Sequence, residues 1–545
     1  MPKRLIVFPA LVAVFPILFL YAQNNDHFPI HVVWLPLAAT LGAAVAIWAV
    51  AGLVLRSAHR GALLAALLLL LFFSYGQMVD VLRRANAGVF GLGPKDLSVI
   101  LFAALCIAVT FFVLKTPKKV GRLLAVENFA ALCLMAAPLA IIVNVQSHRV
   151  TFLRPEAKRP TSLRRAAGES PDIYYIILDG YGRDDVLRDL YGYDNSEFTD
   201  YLKSKGFRVA RQSRSNYNQT GISLASSLNM TYLDRYTVGA EHNSDDRTPL
   251  SGMIGDNAVW SFLRSQGYQF TIFATSYDLL DLRSADNYRG PEALSEFEGG
   301  VADMTPLAVE GLPYAAHRSK IRYAFEHMGD AAADPRPNFT FAHIAAPHPP
   351  FIFGANGSDV TPDEGYSMGD GSHLVSANGI TWRQYRDGYT NQLAYINKCV
   401  MKCVDNVLAR SKQPPIIVIQ GDHGPGSLLD QEDPGHTYLT ERFSILNAYY
   451  LPNSEAGDIY DTISPVNSFR VILNRYFGAG YELLPDRSYF AAWSQPYKYA
   501  AVTEAIARES RAKAAKLISE KGGPGPALPV RRTAMASGQH QPHRL

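Results

Sequence analysis

The chain has 545 residues, room for two or three domains, and its 52 Lys plus Arg against 49 Asp plus Glu leave a formal charge of only +3. So small a surplus gives no basic field suited to nucleic acid. The four cysteines form no disulfide framework and no zinc-ribbon spacing: Cys106 and Cys133 fall in apolar runs, and Cys399 and Cys403 lie four apart on an expected helix.

In chain order, the hydrophobic residues come first. Residues 5–22, 32–55, 61–79, 97–114 and about 128–145 are mostly apolar, each long enough to cross a hydrocarbon core, which takes roughly 17–25 helical residues. One such run is an ordinary buried helix; five in series predict a five-helix transmembrane anchor over residues 1–145. The first run lacks a clear signal-peptide cleavage site and reads as part of the anchor. Lys3 and Arg4 precede the first run, Arg56 and Arg60 follow the second, and Lys115, Lys118, Lys119 and Arg122 follow the fourth. All fall on one side, which the positive-inside rule makes cytoplasmic. Arg83, Arg84 and Lys95 lie on the other side, as does a basic linker at 146–170 that carries Arg149, Arg154, Lys158, Arg159, Arg164 and Arg165 and suits anionic headgroups. The expected location is a bacterial inner membrane, with everything after about residue 146 exported to the periplasmic or extracellular side.

Residues 171–495 alternate β-type and helical stretches, the pattern of an α/β domain with a central, mostly parallel sheet. Strands are expected at 173–178, 207–210, 268–273, 339–344, 416–420 and 445–451, and helices at 196–205, 221–228, 258–265, 382–409 and 466–476. Residues 238–248 read as a polar loop, and the Gly, Ser and Asp rich 354–379 as a mobile loop near a site mouth. A C-terminal helix over 496–521 and a disordered Gly, Pro and Arg rich tail over 522–545 complete the chain.

Two apolar strands deliver acids at their carboxyl ends. The first runs Ile173-Tyr174-Tyr175-Ile176-Ile177-Leu178-Asp179-Gly180, and the second runs Ile416-Ile417-Val418-Ile419-Gln420-Gly421-Asp422-His423-Gly424. Ligands gather beyond such strand ends in open α/β sheets. Between them Thr220 precedes Gly221 and an expected helix, where the free N–H groups of a helix start bind anions. Each residue alone has a plain structural reading, Asp179 as a turn former and Thr220 as a helix cap. Together they suit a hydroxyl nucleophile activated by a divalent cation, with Ser223 and Ser215 as rival hydroxyls.

The strand-borne Asp179, the Thr220 before a helix and the late Gly421-Asp422-His423-Gly424 resemble the alkaline phosphatase superfamily in its sulfatase-like branch. That branch includes membrane-anchored phosphoethanolamine transferases and lipoteichoic acid synthases, which also join a five-span anchor to an exported catalytic domain. The resemblance implies Thr220 as nucleophile, and Asp179, Thr220, Asp422 and His423 as ligands of one Zn²⁺ or Mn²⁺. It implies a substrate-binding role for His348 in His348-Pro349-Pro350-Phe351 and for His436, thirteen residues after His423; His343, which also suits a core position, Arg183 and Arg442 are further candidates. Asp281, His343, His348 and His436 leave a second metal open.

Two departures limit the transfer. The lipid-modifying relatives usually begin the ligand set with Glu, where this chain has Asp179. True sulfatases need Cys or Ser in a Cys/Ser-x-Pro-x-Arg motif, and Thr220-Gly221-Ile222-Ser223-Leu224 has no Cys, Pro or Arg in register. The expected activity is transfer of a phospho-substituent from a membrane phospholipid through a covalent Thr220 intermediate to an envelope glycan or lipid. Hydrolysis by a phosphodiesterase or sulfatase-like esterase is the alternative; a non-catalytic scaffold would have lost Thr220 or the Asp-His pair. A transporter would need polar residues within the spans.

Overall fold

The computed structural model describes residues 5–85, 87, 92–117, 121–147, 170–235, 244–308, 311–334, 336–362, 366–375, 379–453 and 457–521. Most of the expected linker, part of the 238–248 loop and the expected tail lie outside these residues.

Six helices make the anchor: α1 (Phe8–Gln23), α2 (Trp34–Val54), α3 (Ala58–Phe73), α4 (Tyr75–Arg84), α5 (Pro94–Lys115) and α6 (Gly121–Ser147). Among the described residues, three stretches are long and apolar enough to cross a membrane: Ile30–Val54, Pro94–Lys115 and Leu123–Ser147. The pair α3 and α4 makes a fourth if counted as one span, although it bends by 41°. The bend falls where the apolar run ends at Phe73, because α4 carries Gln77, Asp80, Arg83 and Arg84. The expected first span is shorter than its sequence suggested. Its helix has 16 residues, about 24 Å at 1.5 Å per residue, against a core of about 30 Å. Asn128 of α6 caps this helix, its Oδ1 accepting the N–H groups of Val7 (3.2 Å) and Phe8 (3.1 Å).

The two ends of the anchor differ. At one end Arg60 donates from Nε to the Thr116 carbonyl (2.7 Å), which puts the turns after α2 and α5 side by side. At the other end the anchor meets the rest of the chain. The Asp26 carbonyl accepts the Arg247 N–H (2.8 Å), and the Gly76 N–H donates to the Met304 carbonyl (3.1 Å). Phe297 enters the anchor core against Tyr21 and Phe28.

The second domain is built on seven strands: β1 (Ile173–Leu178), β2 (Arg208–Val209), β3 (Gln269–Phe273), β4 (Asn287–Arg289), β5 (Asn338–Ile344), β6 (Ile416–Gln420) and β7 (Asn447–Tyr450). Their order is β2-β7-β6-β1-β5-β3-β4. β1 runs parallel to both β5 and β6, as β3 does to β4 and β5; β7 is antiparallel to β6 and β2. Both faces are covered, which is why the central strands read as unbroken apolar runs. Tyr174, Ile176 and Leu178 pack toward the long helix Trp382–Arg410, while Ile173, Tyr175 and Ile177 pack toward Thr220–Asn229 and Pro465–Phe477.

Register fixes the site. Ile177 pairs with both His343 and Gln420, so the carboxyl ends of β1, β5 and β6 finish together at the centre of the sheet. By the two-residue period of a strand, His343 shares the face of Phe339 and Phe341, the face covered by the helix at Thr220. One expected element is corrected. Residues 496–501, expected as the start of a C-terminal helix, belong to β9 (Gln495–Ala501), which pairs antiparallel with β8 (Tyr489–Ala492); helices follow at Thr503–Arg508 and Arg511–Glu520. The run Gln495-Pro496-Tyr497-Lys498-Tyr499 has the aromatic alternation of a strand with one packed face.

Candidate metal and phosphoryl site

Asp179, His343 and the pair Asp422-His423 stand at the ends of adjacent parallel strands, and Thr220 opens the helix that crosses above them. Distances follow from this placement. Thr220 Oγ1 lies 3.0 Å from His423 Nε2. His423 Nε2 lies 3.4 Å from both Asp179 Oδ1 and Asp422 Oδ2. His343 Nε2 lies 3.3 Å from Asp179 Oδ2. Asp179, His343 and Asp422 each offer a ligand atom within 4.8 Å of the others.

The surrounding bonds orient these atoms. His423 Nδ1 donates to its neighbour's carbonyl, Gly424 O (3.0 Å), which leaves Nε2 with its lone pair turned to the two carboxylates. Asp422 Oδ1 accepts the Gly180 N–H (3.1 Å), and Ser223 Oγ donates to the Asp422 carbonyl (2.7 Å), binding the helix to this loop. Gly180 turns with φ +73° beside the His348 backbone. At Gly424 a Cβ would collide with the Glu441 carbonyl and lie 2.9 Å from the Ser444 carbonyl, so only glycine fits after His423.

Three buried polar atoms are left without a hydrogen-bond partner, the carboxylate oxygens Asp179 Oδ1 and Asp422 Oδ2 and the ring nitrogen His343 Nε2. Lone pairs facing one another without a proton between them repel, and burial makes each orphan costly. A divalent cation removes the conflict. Two ligands about 2 Å from one tetrahedral ion are themselves about 3.3 Å apart, and the 3.0–3.4 Å separations here match that spacing. The residues present fit a metal.

Electrostatics sort the remaining groups. Burial pushes the Asp179 carboxyl up, but the imidazoles of His348, His343 and His423 outweigh it and hold the group well below the usual range. Burial, helped by the Arg442 cation, lowers His423. Burial also opposes protonation of His348, yet the carboxylates of Asp179 and Asp370 raise it above the ordinary histidine value. The His348 Nδ1 donates to the Pro349 carbonyl (2.6 Å) and its Nε2 stands 3.9 Å from Asp370 Oδ2. Arg442 Nη1 pairs with Asp370 Oδ2 (2.7 Å) and donates to the Gly424 carbonyl (3.1 Å), and its Nε donates to the Asn218 carbonyl (2.8 Å).

A cavity of about 270 Å³ opens on this cluster and is lined by Asp179, Thr220, His348, Asp370, His423 and Arg442, among others. His343 stands behind Asp179, inside the ligand group and away from the cavity wall. Two expected substrate residues are corrected. His436 sits on an exposed loop, its side chain 75 % accessible and paired with Asp433 (3.0 Å). Arg183 spends its guanidinium on Asp185 (2.7 and 2.8 Å) and the Ser213 carbonyl (2.8 Å). Neither lines the cavity. Asp281 is held by Arg283 (2.8 Å) and Tyr288 and stands apart from the cluster.

Sequence reasoning missed Asp370, which lies in the Gly and Ser rich segment expected to be a loop at the site mouth. Residues 363–365 and 376–378 of that segment lie outside the described residues; Asp370 itself is buried. It also missed the β8–β9 hairpin, which positions the loop before Thr220: Asn218 exchanges hydrogen bonds with the backbone of Ala491 (2.8 and 3.0 Å), and Gln219 Nε2 donates to the Ala491 carbonyl (2.9 Å). Polar Asn216-Tyr217-Asn218-Gln219, bonded but buried, was the available signal.

Comparison with known proteins bears on this site. The family model described as Sulfatase matches residues 171–445. No curated protein matches the chain. Among solved structures, the chain is similar to the C-terminal periplasmic domain of EcEptC from Escherichia coli in complex with Zn, at 12% identity and a TM-score of 0.41 over 64% of this chain and 96% of that one. It is similar to the integral membrane protein lipooligosaccharide phosphoethanolamine transferase A (EptA) from Neisseria meningitidis, at 11% identity and a TM-score of 0.36, over 86% of this chain and 94% of that one. The corresponding domain of phosphoethanolamine transferase EptC from Campylobacter jejuni gives 10% identity and a TM-score of 0.36, over 56% of this chain and 90% of that one.

Proposed function

This chain belongs to the sulfatase family, and from that premise we propose that it is a membrane-anchored, metal-dependent enzyme that takes a phospho-substituent from a lipid phosphodiester onto Thr220 and passes it to an acceptor of the cell envelope. The observation that carries the proposal is that Thr220 Oγ1 and the free oxygens of Asp179 and Asp422 all lie 3.0–3.4 Å from His423 Nε2. Asp179, Thr220, Asp422 and His423 would hold one divalent cation, zinc or manganese, and His343 belongs with this set rather than with the substrate. When bound, such an ion lowers the pKa of a coordinated hydroxyl and draws negative charge from a phosphoryl group.

The remaining work falls to the chain. Thr220 is the first residue of its helix, so its oxygen stands beside backbone N–H groups that have no helical acceptor and can receive a phosphoryl oxygen. His348, in its protonated form, donates a hydrogen bond from Nε2 to charge developing on the same group. Attack by Thr220 Oγ1 forms a phosphorus–oxygen bond while the bond to the lipid alcohol breaks, and the proton given up by Thr220 leaves on the lipid oxygen. An acceptor hydroxyl then attacks phosphorus as the bond to Thr220 breaks, and the proton it gives up restores the Thr220 hydroxyl. Arg442 joins the loops of Asn218 and Gly424 and keeps nucleophile and ligand pair in place.

The anchor serves this chemistry by raising the effective concentration of a membrane lipid at the cavity. With α1 and the bent α3–α4 pair each crossing, it makes five passes in a bacterial inner membrane. The catalytic domain then faces the periplasm, since it contacts the loop after α1, opposite the end where Arg60 meets Thr116. Incubation with a labelled phospholipid, acid quench and peptide mass spectrometry test the reading. The expected product is a phospho-substituent on Thr220 that disappears when an acceptor glycan is added. A protein that cleaves the lipid with no label on Thr220 at any time would overturn the nucleophile; label released only to water would replace transfer by hydrolysis.

A further inference from the structure

The catalytic cavity is not walled by the catalytic domain alone. Asn24, His27 and Phe28, from the loop between α1 and α2, line the same cavity as Asp179, Thr220 and His423. The loop is held there by contacts along its length. The Asp26 carbonyl accepts the Arg247 N–H (2.8 Å), the His27 ring meets the edge of Trp493 with centroids 5.6 Å apart, and Phe28 meets Phe297 at 5.4 Å.

Arg247 stands at the centre of this wall and lines the cavity itself. It is 3 % exposed, and its guanidinium lies over the Trp493 ring, 3.9 Å from the centroid. Nη1 donates to the Asp245 carbonyl (3.0 Å) and Nη2 to the Trp493 carbonyl, while Nε is buried with no acceptor. Asp26 and Asp245 act on the cation from a distance, but among the described residues no carboxylate forms an ion pair with it. Arg442, the other arginine of the cavity, is neutralised by Asp370 at 2.7 Å. A buried cation without a counter-ion is unfavourable unless an anion joins it, and a guanidinium held flat on an aromatic ring is suited to oxygen anions.

We propose that Arg247, together with Asn24, His27 and Phe28 of the anchor, forms an oxyanion subsite of the catalytic cavity. It takes a phosphate or carboxylate that the substrate carries in addition to the reacting phosphorus, and the anchor completes it. The proposal rests on the reading of the cavity as a phosphodiester site. It assigns the membrane domain a part in substrate recognition beyond tethering.

The test uses the full-length protein in detergent, stripped of metal by chelation and titrated with inorganic phosphate. Tryptophan fluorescence follows binding, because Trp493 stacks on Arg247. Saturable binding is expected, weakened at least tenfold in Arg247→Gln and in the double variant His27→Ala/Phe28→Ala, and within twofold of wild type in His436→Ala, which is exposed and outside the cavity. Arg247→Lys, which keeps the charge and loses the planar fork, should fall between wild type and Arg247→Gln; it covers the case in which the Gln variant does not fold. Equal affinity in wild type and Arg247→Gln, or no saturable binding by wild type, overturns the subsite. An unchanged affinity in the loop double variant overturns the role of the anchor. With metal restored, a loss of kcat/KM for lipid cleavage without acceptor places the oxyanion on the donor; a loss seen only with acceptor places it there. Absence of any turnover by wild type would refute the phosphodiester reading and leave the phosphate titration to decide the subsite separately.

Discussion

Asp370→Asn should damage this protein out of proportion to a one-atom change. Its carboxylate and the Arg442 guanidinium are 4 % and 3 % exposed and 2.7 Å apart. Oδ1 also accepts the Tyr385 hydroxyl (2.8 Å). The substitution keeps the shape and removes the charge, leaving a buried cation beside a site that is to receive a metal. With charge centres about 4 Å apart and an effective dielectric near 20, the lost attraction is about 4 kcal/mol. That agrees with the roughly 3–5 kcal/mol typical of breaking one side of a buried pair. A double-mutant cycle with Asp370→Asn, Arg442→Gln and the pair together, read from denaturant unfolding of the purified protein, isolates the interaction. The cycle should give a coupling of at least about 2 kcal/mol, with the double variant less harmed than either single change implies. A coupling under about 0.5 kcal/mol, the scale of an exposed pair, would refute the claim that this pair holds the site together.

Three further outcomes follow from the same packing. Glu441 is buried among Ser427, Tyr191 and the Leu428 N–H, and burial raises its carboxyl from 4.5 to about 7. A carboxyl raised on folding favours the native state fully below the unfolded value and loses that contribution as pH rises through the folded one. Wild type should therefore lose stability relative to Glu441→Gln between about pH 4.5 and 7, by about 3 kcal/mol at most; parallel stability profiles for the two proteins would contradict the assignment. Gly424→Ala should cut metal affinity at least tenfold, because its Cβ has no room against the Glu441 and Ser444 carbonyls; calorimetric titration with zinc checks it, and wild-type affinity would show that the loop yields. Phe297→Ala should remove the plug between Tyr21 and Phe28, lowering unfolding free energy by about 3–5 kcal/mol; a loss below about 1 kcal/mol would mean that the two domains are not joined through this contact.

Much of the site was legible before the fold was known. β1 and β6 are buried on both faces, so their apolar runs and terminal acids stood out, and the register of β1 against β6 then brings Asp179 and Asp422 together. The helix start at Thr220 was visible because Gly221 and a helical pattern follow it. His343 was harder: its strand period places it on the face of Phe341, but a histidine in an apolar strand suits a core position equally well. Asp370 and Arg247 were invisible, since the side chains that set each in the site, Arg442 for Asp370 and Trp493 for Arg247, are remote in sequence, and each sits in a stretch without periodicity. His436 misled through its spacing from His423, which says nothing of whether a loop turns inward. The anchor was read well as apolar runs and less well as spans, because composition does not show where a helix bends or stops, as at Phe73 and Gln23.

Elemental analysis of the purified full-length protein shows whether these distant side chains share one cation. One tightly held divalent metal per chain is expected, lost in Asp422→Asn and in Asp179→Asn, and retained in the otherwise inactive Thr220→Ala. A metal-free active protein, or a metal content indifferent to both aspartates, would contradict it.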